Sequence, residues 1–298
     1  MVVHGIGEEH AGYSAALRAG IERAMRTALN RCLPHPLSSD ETLFIAEEAQ
    51  WDRYVSPQQA ALRKALQQQI PRVVFTGLSW RLWWGAILSQ LILRARARAV
   101  PFIGDILAYQ RADAQHLIHS ELDAALARLA THLGTSPTPP PLTIVAHSLG
   151  TVIASDFLWD RWMRAPQRLG GLTLRNFFTM GSPMAFYALK YGSGRVEQFE
   201  KPITIAPPGC WVNIFHIDDP VATALRPLNQ AYADAVLQDA EIRNAALLGA
   251  HTSYWSDSRV HEVIGHKLAL DWIESHHALP AERLTQLRQR YARRLALG

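Results

Sequence analysis

Short, almost wholly apolar runs alternate along this chain with longer stretches whose apolar positions recur every three or four residues. The runs MVVH (1–4), LFIAE (43–47), LTIVA (142–146), LRNFFTM (174–180) and WVNIFHI (211–217) predict strands. Helical spacing predicts helices over 13–32, 57–70, 113–133, 149–164, 221–238, 257–275 and 280–296. Within 257–275, Val260, Val263, Ile264, Leu268 and Trp272 fall on one helical face. Strands that alternate with helices point to an α/β fold: a mostly parallel central sheet with helices on both faces.

The interval between the second and third strands is far longer than one crossover needs, so the chain reads as a single domain, 1–298, with a helical cap inserted over 52–112. Near the middle of that insertion, Trp80, Trp83, Trp84, Ile87, Leu88 and Leu91 form an apolar stripe. Core packing is its first reading; the second is a lid or interfacial helix, with peripheral membrane contact through residues 78–98. A transmembrane span is disfavoured. The uncharged run 82–93 is too short, and extending it buries Arg81 at about 2.5–3.5 kcal/mol. The Pro-rich TSPTPPP at 135–141 reads as an extended lead into the third strand.

Composition adds bounds. With 298 residues, 48% hydrophobic and 19% charged, the chain can bury a large core. Its net charge of +4 comes from scattered arginines, and the one dense run, RARARA at 94–99, reads as a solvated helix end ahead of an anionic partner. No nucleic-acid partner is expected, because no basic stripe is interleaved with stacking aromatics. Cys32 and Cys210 are too few for a disulfide framework and lack metal-ligand spacing. No metal or other cofactor is expected, and the default compartment is the reducing cytoplasm, with membrane association left open. No signal peptide is legible in MVVHGIG, although a strand that starts at Met1 leaves open a leader before it.

The candidate chemistry centres on AHSLG, 146–150. A serine ahead of a helix is by default an N-cap. Here Ser148 stands between a buried strand and a helix, with small residues, Ala146 and Gly150, two places to either side. That is the pattern of a strand–turn–helix elbow, in which the serine hydroxyl stands above the sheet and the amide of Leu149 points to the same place. A serine nucleophile needs a base and an orienting acid. Asp219, held in extended backbone by Pro220 after the strand WVNIFHI, is preferred as the acid over Asp218, Asp234 and Asp239. Of 13 histidines, His251, in a loop, is preferred as the base. His216 lies in a strand, His261 and His266 lie in a helix, and His147 is beside the serine but points elsewhere on the turn. VHGIG at 3–7 supplies a glycine turn, Gly5 and Gly7, that would aim Ile6 N–H at the site as a second oxyanion donor with Leu149 N–H. Alone, it could cradle a phosphate, but it is not a G-x-x-x-x-G-K-S/T loop, and no downstream acid at the right distance supports a dinucleotide site.

Together VHGIG, AHSLG, TMGSP (179–183), DDPVA (218–222) and HTSYW (251–255) resemble the α/β-hydrolase superfamily of lipase and esterase type. More narrowly, they resemble small bacterial serine esterases and lipase-like domains related to GPI-inositol deacylases. The resemblance implies Ser148 as nucleophile, Asp219 as acid, His251 as base and the amides of Ile6 and Leu149 as oxyanion hole, with Ala146 in place of the first elbow glycine. It implies hydrolysis of a carboxylic ester through an acyl-enzyme. The Trp-rich cap suggests an apolar or lipid-like acyl group, and the partner would then be a small-molecule ester or lipid. An acyltransferase using the same residues, or a non-catalytic membrane- or partner-binding module on the same fold, are the alternatives.

Overall fold

The computed structural model describes residues 1–5, 11–54, 109, 112–134, 137–164, 169–191, 201–243, 249–276 and 279–296. The chain divides into two compact units. One comprises Met1–Gly5, His10–Gln50 and Leu122–Gly298; the other comprises Ile6–Glu9 and Trp51–Glu121. The expected helix 57–70, the Trp-bearing stretch 78–98 and most of the expected cap, 52–112, lie outside the described residues.

Six strands form the sheet of the first unit: β1 (Val2–Val3), β2 (Glu48–Ala49), β3 (Pro141–His147), β4 (Thr173–Met180), β5 (Cys210–His216) and β6 (Val236–Ile242). Their spatial order is β2-β1-β3-β4-β5-β6, and every pair is parallel. The helices are α1 (Ala15–Cys32), α2 (Ala112–Leu133), α3 (Leu149–Leu158), α4 (Met184–Tyr191), α5 (Gln230–Ala235), α6 (Ala250–Ser253), α7 (Ser258–Ser275) and α8 (Ala281–Ala296). The chain is therefore an α/β protein with an all-parallel sheet among its described residues. The central strands β3, β4 and β5 are buried almost end to end, as expected of a parallel sheet covered on both faces.

One core cluster joins Val145, Phe178, Met180, Val212 and Ile214 of the sheet to Leu17 and Ile21 of α1, Val260 and Ile264 of α7, and Leu295 of α8. Each fully buried side chain of this size contributes about 1.5–3 kcal/mol of hydrophobic stabilisation. The face of α7 foreseen from spacing divides in the fold. Val260 and Ile264 are buried, whereas Val263, Leu268 and Trp272 are only partly so.

Two elements differ from the sequence reading. The expected helix 221–238 is instead a 3-10 turn at Arg226–Leu228, the short helix α5 and then the first residues of β6. β6 is an edge strand paired on one side only, so its sequence VLQDAEI is half polar and lacks the apolar run that marks its neighbours. The second strand is Glu48–Ala49, not 43–47. Leu43 and Phe44 instead pack partly buried against helical core residues, and Ile45 is 41% exposed. Among the described residues, no helix is long and apolar enough to cross a membrane.

The sheet order places the site. The order in which strands are added reverses at β1, whose neighbours are β2 on one side and β3 on the other, and in open parallel sheets such a switch point, at the carboxyl ends of the strands, is where ligands bind. Gly5 follows β1 and Ser148 follows β3, which brings both to that switch point.

Candidate active site

β3 ends at His147 and α3 starts at Leu149, so the whole reversal falls on Ser148. Its φ is 53° and ψ −130°, and it is the one non-glycine residue at positive φ among the described residues. Such a conformation costs an L-residue on the order of 1–3 kcal/mol and persists only where surrounding contacts fix it. Here Ser148 N–H donates to Met180 O at 2.9 Å, and Thr151 Oγ1 donates to Ser148 O at 2.7 Å. The Ser148 side chain makes no capping bond to α3. The N-cap reading of this serine therefore fails on geometry.

The elbow is tight for a reason other than the strand–helix approach. A Cβ on Gly150 would lie 2.2 Å from His4 O and 2.8 Å from Val3 O, so it is the backbone leaving β1 that excludes a side chain there. A Cβ on Gly5 would lie 2.5 Å from Ser148 Cβ, so Gly5 stands directly against the serine. Ala146 is fully buried and pairs with Val3 on one side and Thr179 on the other. Leu149 N–H belongs to the first turn of α3, where backbone amides lack intrahelical acceptors and the helix dipole is positive. Ile6 and Gly7 lie outside the described residues.

Ser148 Oγ is 2.7 Å from His251 Nε2, and His251 Nδ1 is 2.8 Å from Asp219 Oδ2. The carboxylate can only accept, so Nδ1 carries the proton and Nε2 is left to accept from the serine hydroxyl. Ser148, His251 and Asp219 thus form one chain of hydrogen bonds across residues 148, 251 and 219. His251 stands on α6, one short helical turn, instead of the expected loop. Its side chain is 27% exposed, whereas that of Asp219 is wholly buried.

Burial alone would raise the Asp219 carboxyl. The hydrogen bond and charge of His251, then Val221 N–H at 3.0 Å and Tyr254 Oη–H at 2.9 Å, hold it below its ordinary value instead. A carboxylate in this setting stays ionised and can compensate an imidazolium at His251. His147 Nε2–H donates to His251 O at 2.7 Å, so the residue beside the serine supports the segment that carries His251. Burial, and then the charge of His251, lower the His147 pKa to about 3, so its imidazole stays neutral and does not compete as a base.

The rejected candidates have other partners. Asp218 is exposed, and its N–H donates to His216 Nδ1 at 3.0 Å. Asp234 accepts from Gln230 at 2.8 Å. Asp239 accepts from Asn213 Nδ2, Leu225 N–H and Arg226 N–H, and so fastens the loop that follows the acid to β5 and β6. His261 donates to Trp255 O, and His266 donates to Glu262 O within its own helix. Sequence reasoning passed over three contributors. Tyr254 bonds the acid, and Ser182 Oγ donates to Thr151 Oγ1 at 2.8 Å, tying the GSP turn to the elbow. His147, read from the sequence as pointing elsewhere on the turn, instead bonds the His251 carbonyl. The spacing of His251 and Tyr254, three apart on a helical turn, was the one signal available for the first.

The arrangement can deprotonate a serine hydroxyl and offer at least one backbone amide to an anion formed beside it. Among the described residues, no group of three or more His, Cys, Asp or Glu is placed to hold a metal ion. Comparison with models of known protein families, with curated proteins and with solved structures returned no match.

Proposed function

We propose that this protein is a serine hydrolase of the α/β-hydrolase, lipase and esterase type, and that it cleaves a carboxylic ester through an acyl-enzyme on Ser148. The observation that carries the reading is the unbroken Ser148–His251–Asp219 hydrogen-bond chain on a positive-φ serine whose side chain caps nothing. His251 Nε2 takes the Oγ proton as Ser148 attacks the ester carbonyl. Leu149 N–H faces the oxyanion that develops, with Ile6 N–H as the second donor on sequence grounds. The proton then passes from His251 to the leaving alcohol, and a water activated the same way releases the acid.

The Trp-rich stretch at 78–98 supports an apolar acyl group on sequence alone, and a peripheral contact of that stretch with membrane belongs to the same proposal. Hydrolysis of p-nitrophenyl esters from acetate to decanoate tests both class and preference. We expect kcat/KM to rise by up to about fourfold per added methylene until the acyl site is filled, the equivalent of about 0.8 kcal/mol per buried CH2. A flat series would remove the apolar acyl group, and no turnover by folded protein would remove the hydrolase reading. Product partition in the presence of an added alcohol separates a hydrolase from an acyltransferase: free acid dominates in the first case, the new ester in the second.

A further inference from the structure

Asp219 Oδ2 accepts two hydrogen bonds, one from His251 Nδ1–H and one from the Tyr254 hydroxyl at 2.9 Å. The direction of the second is fixed by a third contact. His216 N–H donates to Tyr254 Oη at 2.9 Å, and an amide nitrogen cannot accept, so the phenol's single proton is committed to Asp219. Tyr254 is fully buried and stands three residues after His251, at the end of α6, so base and phenol leave one helical turn on the same side and converge on one carboxylate oxygen. His216 is the last residue of β5, and Asp219 N–H donates back to His216 O at 3.0 Å. The acid is therefore held to the strand end twice, once by its own backbone and once through the phenol.

Space for this arrangement comes from Gly181. At φ 60°, a Cβ there would lie 2.9 Å from the Tyr254 ring and 3.3 Å from Asp219 Oδ2. The GSP turn is thereby given a role the sequence did not suggest. It leaves room for the tyrosine–carboxylate contact and, through Ser182 and Thr151, is tied to the elbow.

We propose that Tyr254 is a positioning residue: its hydroxyl fixes the orientation of Asp219, and through it the ring of His251 against Ser148 Oγ. This inference rests on the serine-hydrolase reading and deepens it. Tyr254 touches neither the serine nor any reacting atom, so its effect on rate must pass through Asp219. A tyrosine that only filled space would act equally whatever stood at position 219.

The test is a double-mutant cycle read by release of p-nitrophenol. Tyr254→Phe keeps the ring and removes the hydroxyl. We expect kcat to fall about tenfold with KM within about twofold of wild type, as for loss of a hydrogen bond to a charged group. In the Asp219→Asn background the same change should alter kcat by less than about twofold. Because Tyr254→Phe also removes the hydroxyl that accepts from His216 N–H, Tyr254→3-fluorotyrosine provides a second arm that retains ring and hydroxyl. The more acidic phenol draws charge from Oδ2 and lowers kcat about twofold when Asp219 is present and not when it is Asn. Equal losses in both backgrounds, or none in the first, would overturn the role of Tyr254 and leave the hydrolase reading standing. Absence of Ser148-dependent turnover in folded wild type would overturn both.

Discussion

Replacement of His251 by alanine is expected to lower kcat/KM for a p-nitrophenyl ester by about four to six orders of magnitude. The loss follows from the 2.7 Å contact between His251 Nε2 and Ser148 Oγ. With the imidazole gone, no other group among the described residues is hydrogen-bonded to the hydroxyl, and His147, whose pKa is lowered to about 3, is too weak a base to replace it. Ester binding and the amide at Leu149 remain, so a small residual rate over water is expected. The fold should persist. His251 is partly exposed, and Asp219 keeps Val221 N–H and Tyr254 as donors. Loss of one hydrogen bond to a buried carboxylate should cost on the order of 1–3 kcal/mol, measurable as a lower midpoint in thermal denaturation. A variant that is folded and retains more than about a tenth of wild-type kcat/KM would show that His251 is not the base.

The second large effect distinguishes two adjacent carboxylates. Asp219→Asn should reduce kcat by about 10⁴-fold, and Asp218→Asn by less than about twofold. In the first variant the amide NH2 can donate to His251 Nδ1, which moves the ring proton to Nε2 and leaves no acceptor facing Ser148. Asp218 has no such leverage: its side chain is 45% exposed and lies 3.7 Å from His216 Nδ1. The same pair separates in stability. The Asp219 pKa in the fold lies below the ordinary 3.8, so its charge stabilises the fold above about pH 4, and that contribution is lost as pH falls through the depressed value. Asp219→Asn should therefore lower the thermal midpoint at pH 7 and converge with wild type in acid. Equal, mild effects of the two substitutions on kcat would reassign the acid.

Much of the architecture was legible because parallel strands buried on both faces read as near-continuous apolar runs, as LTIVA, LRNFFTM and WVNIFHI do. β6 was not, since an edge strand paired on one side needs no such run and follows α5 without a turn signal. The two-residue β2 was missed by a few positions, because Leu43 and Phe44 beside it pack on helices instead of pairing. At the site, the order of motifs along the chain pointed to Ser148, Asp219 and His251. What it could not supply were contacts made between distant parts of the chain. His147 reaches the His251 carbonyl across 104 residues and Tyr254 reaches Asp219 across 35, and neither pairing has a local pattern. Gly150 was read correctly as needing to be small, but the reason, the passage of the His4 backbone, belongs to the fold.

The central claim is that Ser148 is an activated nucleophile, and covalent labelling addresses it most directly. Wild-type protein treated with a fluorophosphonate should gain one adduct, located on the peptide that carries Ser148 by mass spectrometry, and Ser148→Ala should gain none. Folded wild-type protein that remains unlabelled, or an adduct that persists undiminished in Ser148→Ala, would contradict it.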